Sequence, residues 1–405
     1  MPVGRGRWGD APTLRATREQ ALGPIRQAFH ALATGSKQVT QRAAHIRDAV
    51  SVRRFFAVYL VALAPVIVFG LYNTGLQIHL ALATAGVELQ ETWQTGAMQA
   101  MGLGFDAGSF LACFVHGALY FLPLVIAIYF TARIIELLFA VIRRSDLPPG
   151  TWIYALLFAL ILPPTVPVWQ AALSMGFGIV VAKEIFGGTG RNVVHPVLLA
   201  WAFLYVSYPA ALSGEGVWVP VSEDVPMLID IADAKGMAGL ESVDWMSAFI
   251  GLSPAPPGVS SALLCFIGVG VLLLAKLISW RIVLGFVVGS FLASLLFLGE
   301  SADNAMFGVP FHWHMVLGSW AFGLAFIVTD PVTATHTRTG RLLYGLIAGA
   351  FVIVVRVLNP VQLDGTAIAL LFMSLFAPLI DHFVIEANIK RRQARYASGA
   401  GEGAS

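Results

Sequence analysis

From Phe55 nearly to the C-terminus, apolar stretches close to the length of a bilayer crossing follow one another with short polar breaks. The runs are continuous. Strands of a membrane barrel would instead alternate apolar and polar positions over roughly ten residues, so the pattern predicts helices. Spans are predicted over 55–72, 110–140, 152–162, 168–182, 193–212, 262–278, 282–298, 314–328, 342–357 and 367–385. The expectation is an all-α integral membrane protein of about ten transmembrane helices in two five-helix halves. The span 110–140 is long enough to tilt or project beyond the bilayer. The third and fourth are short, separated by Pro163-Pro164-Thr165-Val166-Pro167 and followed by the Gly-rich run 183–192. Interruptions of that kind make helix ends available inside a membrane protein.

The polar segments set the organisation. Residues 1–54 form a mixed N-terminal segment with an amphipathic stretch over 25–33, ending in His45-Ile46-Arg47-Asp48 and Arg53-Arg54. The first membrane half is assigned to 55–212, an external acidic connection to 213–257, the second half to 258–386 and a basic tail to 387–405. The connection carries Glu215, Glu223, Asp224, Asp230, Asp233, Glu241 and Asp244 against Lys235 alone. Arg143 and Arg144, Lys183 and Arg191, Lys276 and Arg281, Arg338 and Arg341, and the C-terminal cluster all fall on one side. Basic residues favour the cytoplasmic side, so both termini are expected there, in a bacterial inner membrane. A faint repeat links Val166-Pro167-Val168-Trp169, leading into Gly187-Gly188-Thr189-Gly190, with Val309-Pro310-Phe311-His312-Trp313, leading into Asp330-Pro331-Val332-Thr333. Two consecutive five-span halves should be inverted, yet these matched helices run the same way.

Composition sharpens the class. The chain is 57% hydrophobic and 12% charged, with a mean hydropathy of +0.77; a soluble domain carries about 25% charged residues. The 40 glycines suit close helix packing in lipid. The net charge of +2 reflects helix ends and tails, and no nucleic-acid partner is expected. Cys113 and Cys265 lie far apart in apolar segments and read as buried cysteines rather than a disulfide or metal pair. Trp169, Trp218, Trp245, Trp280, Trp313 and Trp320 read as interface anchors.

Three carboxylates stand at helix ends on the basic side. Glu136 lies one turn from Arg133, Asp330 precedes Pro331, and Asp381 follows Phe376-Ala377-Pro378-Leu379. Each is either a local pair or turn former, or part of a sodium or proton vestibule, because an unpaired carboxylate at such depth is costly. The run Gly187-Gly188-Thr189-Gly190 lacks the order of a phosphate-binding loop and reads as a tight turn. His312 and His314 are too few for a metal site, and His195, His336 and His382 could carry protons. With no dinucleotide fingerprint or CxxC, NADH or iron–sulfur chemistry has to come from partner chains.

These stretches, with Phe69-Gly70-Leu71-Tyr72-Asn73, Tyr208-Pro209-Ala210, Ser279-Trp280-Arg281 and Leu375-Phe376-Ala377-Pro378-Leu379-Ile380-Asp381, occur in the order seen in a known family. The sequence resembles the NqrB/RnfD family: the NqrB component of the sodium-translocating NADH:quinone oxidoreductase and, more distantly, the RnfD component of the Rnf complex. The resemblance implies a ten-helix subunit carrying flavin in an electron path to quinone, coupled to Na+ transport, next to other membrane subunits and a redox subunit. Glu136, Asp330 and Asp381 match positions associated there with cation movement. Lys183, Gly187, Gly188, Thr189 and Thr333 become candidates for a flavin or quinone pocket.

Two departures stand out. The family attaches FMN to the threonine of a Ser-Gly-Ala-Thr motif in the external connection, and residues 213–244 contain no threonine; the matching region reads Ser222-Glu223-Asp224-Val225-Pro226. Covalent FMN is expected to be absent, while a noncovalent riboflavin or FMN stays open. Beside Glu136 the family has a Gly-Gly pair linked to quinone binding, and here stand Thr131 and Ala132, whose side chains would narrow that pocket. The expected function is a membrane subunit of an Nqr/Rnf-like complex coupling electron transfer toward quinone to Na+ or H+ translocation. The alternative is a divergent scaffold or ion-path subunit without redox chemistry.

Overall fold

The computed structural model describes residues 52–85, 92–145, 147–148, 150–212, 226–299, 304–359 and 364–402. The amphipathic stretch 25–33, the polar collar 45–48, Trp218 and residues 222–225, on which the covalent-FMN expectation turns, lie outside the described residues.

All regular elements among the described residues are helical. Helix α1 spans Val52–Ala85, a short α2 spans Trp93–Ala100 and α3 spans Phe110–Arg143. Next come α4 (Thr151–Ile161), α5 (Val168–Gly178), which widens into a π-helical turn over Ile179–Glu184, and α6 (Pro196–Ser207). The acidic connection contributes α7 (Leu228–Leu240) and α8 (Trp245–Ile250). They are followed by α9 (Ala262–Leu274), α10 (Trp280–Leu296), α11 (Phe311–His314) and α12 (Trp320–Phe322), the last widening into a π-helical turn over Gly323–Ile327. Helices α13 (Arg338–Leu358) and α14 (Thr366–Glu402) close the fold.

About ten spans in two five-helix halves is therefore not what forms. Among the described residues four helices are long and apolar enough to cross a membrane: Arg54–Ala83, Phe110–Arg143, Arg338–Leu358 and Thr366–Arg395. The other apolar runs give shorter helices. The 11 residues of α4 reach about 16 Å at ~1.5 Å per residue, against a hydrocarbon core of about 30 Å. Pro163, Pro164 and Pro167 stop one helix and start the next. Gly318, at φ +56°, and a turn divide the predicted span 314–328 into three pieces. The two segments of the faint repeat share one feature: each passes from a Pro-preceded start into a π-helical turn just before its polar loop.

One continuous apolar core holds the long and short helices together. Glycines set its closest approaches. Helices α10 and α13 make the most extensive contact in the fold, through Gly285 and Gly289 on one and Gly345 and Gly349 on the other. A methyl group at Gly285 would stand 2.5 Å from the Leu342 carbonyl oxygen, and one at Gly289, Gly345 or Gly349 would overlap a backbone oxygen of the facing helix. Helix α1 continues three turns past its predicted end because its polar residues are buried with partners. The Asn73 amide donates to the Ser253 carbonyl at 2.9 Å, Thr74 Oγ1 to the Gly70 carbonyl at 2.9 Å, and His79 Nε2 lies 3.1 Å from His116 Nδ1 on α3. Trp320 is buried in the core rather than anchored at an interface, its indole N–H donating to Ser290 Oγ at 3.0 Å, and Trp313 is buried as well. Trp169 and Trp280 are exposed.

Candidate functional site

Helix α3 brings Glu136 down to the level where α4 begins and α5 ends. Its carboxylate is wholly enclosed, and three donors surround it. Lys183, at the end of the π-helical turn, donates to Oε1; Thr151, in the first turn of α4, donates to Oε2. Arg133 Nη1 donates to the same Oε2 at 3.0 Å and also reaches the Pro148 carbonyl at 2.8 Å and Thr151 Oγ1 at 3.1 Å. Lys183 is itself buried, so Glu136 and Lys183 form an ion pair out of water, where each charge depends on the other. The π-helical turn matters here, because its wider ring shifts Lys183 relative to the α-helical register. A second pair, Arg143 Nη1 to Glu184 Oε2 at 2.8 Å, fixes the rim.

Next to this hub is a cavity of about 390 Å³, within the ~300–1,000 Å³ range of small-molecule sites. Its apolar and aromatic wall comes from Phe55, Phe56 and Tyr59 at the start of α1 and from Ile153, Tyr154 and Leu157 on α4. Its polar groups are Thr189, His195, Lys276 and Asp330. Two of the wall residues are fixed by hydrogen bonds: the Tyr59 hydroxyl donates to the Phe326 carbonyl at 2.7 Å, and the Tyr154 hydroxyl accepts from the Asn192 amide at 3.2 Å. His195 is buried, with Nδ1 unpartnered among the described residues. Lys276 sits at φ +59°, the left-handed position after α9 that glycine usually takes, and so presents an amine at the cavity. Tyr154 joins cavity and hub, since the Lys183 ammonium lies 5.4 Å from the centre of its ring. A flat aromatic ligand with a polar edge fits this lining: π-faces for its rings, and Thr189, His195 and Lys276 for its heteroatoms.

With that geometry in place, comparison with known proteins is decisive. Residues 39–390 match the NQR2, RnfD, RnfE family. The chain belongs to that family. It is 42% identical over 378 residues to the B-type subunit of a Na(+)-translocating NADH-quinone reductase from Pseudomonas aeruginosa, covering 92% of this chain and 94% of the relative. Proteins of the same name from Azotobacter vinelandii and Klebsiella pneumoniae are 43% and 40% identical, over 88% and 92% of this chain and 90% and 94% of theirs.

For this NQR2, RnfD, RnfE family member the sequence-predicted residues separate into groups. Thr189 and Asp330 line the cavity, and Thr333 holds Asp330, donating to Oδ2 from its hydroxyl at 2.8 Å and its backbone N–H at 3.0 Å. Lys183 stands one ring behind the wall. Gly187 and Gly188, at φ +112° and +94°, end the π-helical segment rather than open a helix, so the run is a helix stop. Thr131 and Ala132 are not among the cavity-lining residues: Ala132 is buried in the core, and Thr131 packs against Gly176 of α5. Asp381 lies apart from the cavity and braces the N-cap of α13, accepting from the backbone N–H groups of His336 at 2.7 Å and Thr337 at 3.0 Å and from the hydroxyl of Thr337, the N-cap residue, at 2.6 Å. Sequence reasoning missed Phe55, Phe56, Tyr59, Tyr154 and Lys276, whose only signal is an aromatic cluster at two basic helix ends.

Proposed function

We propose that this chain is the membrane subunit of an Nqr/Rnf-like complex that couples electron transfer toward quinone to Na+ or H+ translocation. The observation carrying this is the aromatic cavity beside the Glu136–Lys183 pair, in a chain that aligns over nine-tenths of its length with a membrane component of Na(+)-translocating NADH-quinone reductase. Partner membrane subunits and a redox subunit supply NADH oxidation, and the assembly sits in a bacterial inner membrane with both termini in the cytoplasm. The basic groups Arg143, Arg338, Arg341 and Arg391, which stand at the same helix ends as the cavity, support that orientation.

In this reading the cavity holds a noncovalent flavin, riboflavin or FMN, or the ring of a quinone. When bound, such a group accepts and passes on electrons. The chain's own residues do the rest. Phe55, Phe56, Tyr59 and Tyr154 exclude water and hold the ring plane; His195 Nδ1 and Thr189 meet its polar edge; Lys276 offers a cation to any negative charge carried there. Asp330 stands at the same cavity as the nearest carboxylate for a cation moving with the electron, with Glu136 and Asp381 as further candidates on the path.

The test is purification of the complex from its native membrane, with absorbance, acid release and mass spectrometry of chain and co-purifying partners. A flavin released intact by acid, with redox subunits present and lost on Tyr154→Ala, supports the proposal. A covalent flavin mass on 213–244 would place the cofactor elsewhere, and a flavin-free, quinone-free chain in a non-redox assembly would leave the scaffold reading. Asp330→Asn is expected to weaken the Na+ or pH dependence of quinone reduction more than its maximal rate.

A further inference from the structure

A second cavity, of about 360 Å³, lies on the outer side of the bundle between α13 and α14, away from the aromatic site. Its two walls carry the same gradient in the same direction. On α13, Ile347 and Leu343 are followed toward the basic end by Thr339, one residue per turn on one helix face. On α14, Ile380, Phe383 and Val384 are followed by Ala387, Asn388 and Arg391. The groove thus runs from purely apolar to polar and cationic over about 12 Å, eight residues at ~1.5 Å each. Its apolar lip is open, with Leu343 41%, Ile347 43% and Phe383 60% exposed.

The end toward which the polarity rises is strongly basic. Arg338, Arg341, Lys390, Arg391, Arg392 and Arg395 stand there, against Glu386 and Asp381. Glu386 already pairs with Lys390 at 3.1 Å, and Asp381 is taken up by His336 and by Thr337, the N-cap of α13. Arg391 makes no ion pair among the described residues. The occupant therefore has an apolar portion and an anionic head at interface depth. The apolar half followed by an unpaired guanidinium matches the chemistry of an anionic lipid, with an apolar tail and a negative head.

We propose that this groove binds an anionic phospholipid, with one acyl chain along Ile347, Leu343 and Val384 and the phosphate held by Arg391, Asn388 and Thr339. Basic pockets between transmembrane helices at the inner face take anionic headgroups for the same electrostatic reason. Neither the flavin nor the quinone enters this inference, so it stands or falls separately from the proposed function.

The test reconstitutes the full-length protein into dioleoyl-phosphatidylcholine vesicles containing a photoactivatable phosphatidylglycerol or, in parallel, a photoactivatable phosphatidylcholine, and maps adducts by mass spectrometry. Phosphatidylglycerol is expected to label segments 339–347 and 380–391 several-fold more than phosphatidylcholine. Arg391→Gln is expected to lower that labelling about fivefold, whereas Arg392→Gln, with the same charge loss at a residue that does not line the groove, leaves it within about twofold. Ala387→Trp fills the groove with every charge intact and is expected to abolish it. Equal labelling by both lipids, or equal loss in Arg391→Gln and Arg392→Gln, overturns the proposal in favour of diffuse surface attraction. Cross-linking of a Val384→Cys variant to a partner protein in the extracted complex overturns it by showing the groove covered by protein.

Discussion

The buried ion pair between Glu136 and Lys183 makes a quantitative demand on the fold. Replacing Glu136 with Leu leaves the Lys183 ammonium, 1% exposed, without the carboxylate that compensates it. Removing one partner of a buried pair costs about 3–5 kcal/mol, and the upper part of that range is expected here because no water reaches either group. Arg133 suffers less, since its Nη1 keeps the Pro148 carbonyl at 2.8 Å and Thr151 Oγ1 at 3.1 Å and its side chain is 13% exposed. Lys183→Met is milder, about 2–3 kcal/mol, because Glu136 retains Arg133 and Thr151 as donors. The double variant Glu136→Leu with Lys183→Met buries two apolar groups and no longer strands the Lys183 ammonium, leaving only Arg133 without its carboxylate, as in the single Glu136→Leu variant. Its cost is expected to fall short of the sum of the single costs by at least about 2 kcal/mol. Unfolding by SDS titration in mixed micelles, followed by tryptophan fluorescence, measures all four proteins. Additive costs would refute the reasoning, since they would mean that Glu136 and Lys183 do not hold one another.

Other consequences follow from single positions. Gly289→Leu forces a side chain into the Leu346 backbone and is expected to separate α10 from α13 at a cost of several kcal/mol, about 3 or more, seen as loss of the folded monomer on detergent extraction. Lys276→Gly relieves a left-handed residue and is expected to raise stability by about 1 kcal/mol while weakening retention of an anionic flavin or quinone, measured by thermal unfolding and cofactor content. Asp244 caps α8 from outside the membrane, and its hydrogen bonds with the Ser247 hydroxyl and backbone N–H hold its pKa below the usual carboxylate value. A depressed acid stabilises above its unfolded pKa and loses that contribution as pH falls through the folded one. Amide protection in 245–250, taken relative to the intrinsic exchange rate at each pH, should therefore be high at neutral pH and fall below about pH 4, a response that Asp244→Ala removes by being low throughout.

Most helix positions were legible in the sequence, because apolar runs and Pro or Gly punctuation mark them directly. Predicted 110–140 is observed as Phe110–Arg143, and predicted 282–298 as Trp280–Leu296. What the runs do not encode is whether a helix traverses the membrane. Val168 to Ala182 reads as one apolar span, yet it loses α-helical register at Ile179, where packing and the Lys183–Glu136 pair favour a wider turn. The end of α1 was missed because Asn73, Thr74, Gln77 and His79 look like a loop until their buried partners are known. The acidic connection looked wholly hydrophilic, but Leu228, Ile229, Ala232 and Leu240 dock its helix onto the core. At the site, the carboxylates could be found by charge in an apolar setting. The cavity could not, since Phe55, Tyr59 and Tyr154 have nothing in their local sequence to separate them from core aromatics.

The carboxylates differ in how firmly the chain already holds them, and under the proposed function that difference orders them as candidate cation sites. A cation arriving at a carboxylate has to displace the donors already present. At Glu136 those are two cations and a hydroxyl, and the displaced Lys183 would remain buried without its carboxylate. At Asp381 they are two backbone N–H groups and the hydroxyl of the N-cap residue Thr337, whose loss would release the residue that caps α13 through Gly340. Among the described residues the Asp330 carboxylate accepts only from Thr333, at one oxygen, and it faces a cavity large enough for water. Exchange is therefore least costly at Asp330. The lysine makes Glu136 a responsive neighbour instead: negative charge appearing in the cavity would attract Lys183 toward Tyr154 and loosen its hold on Glu136. Electron arrival and carboxylate release would then be linked through one side chain, a coupling that Lys183→Met should abolish while leaving the cavity walls in place.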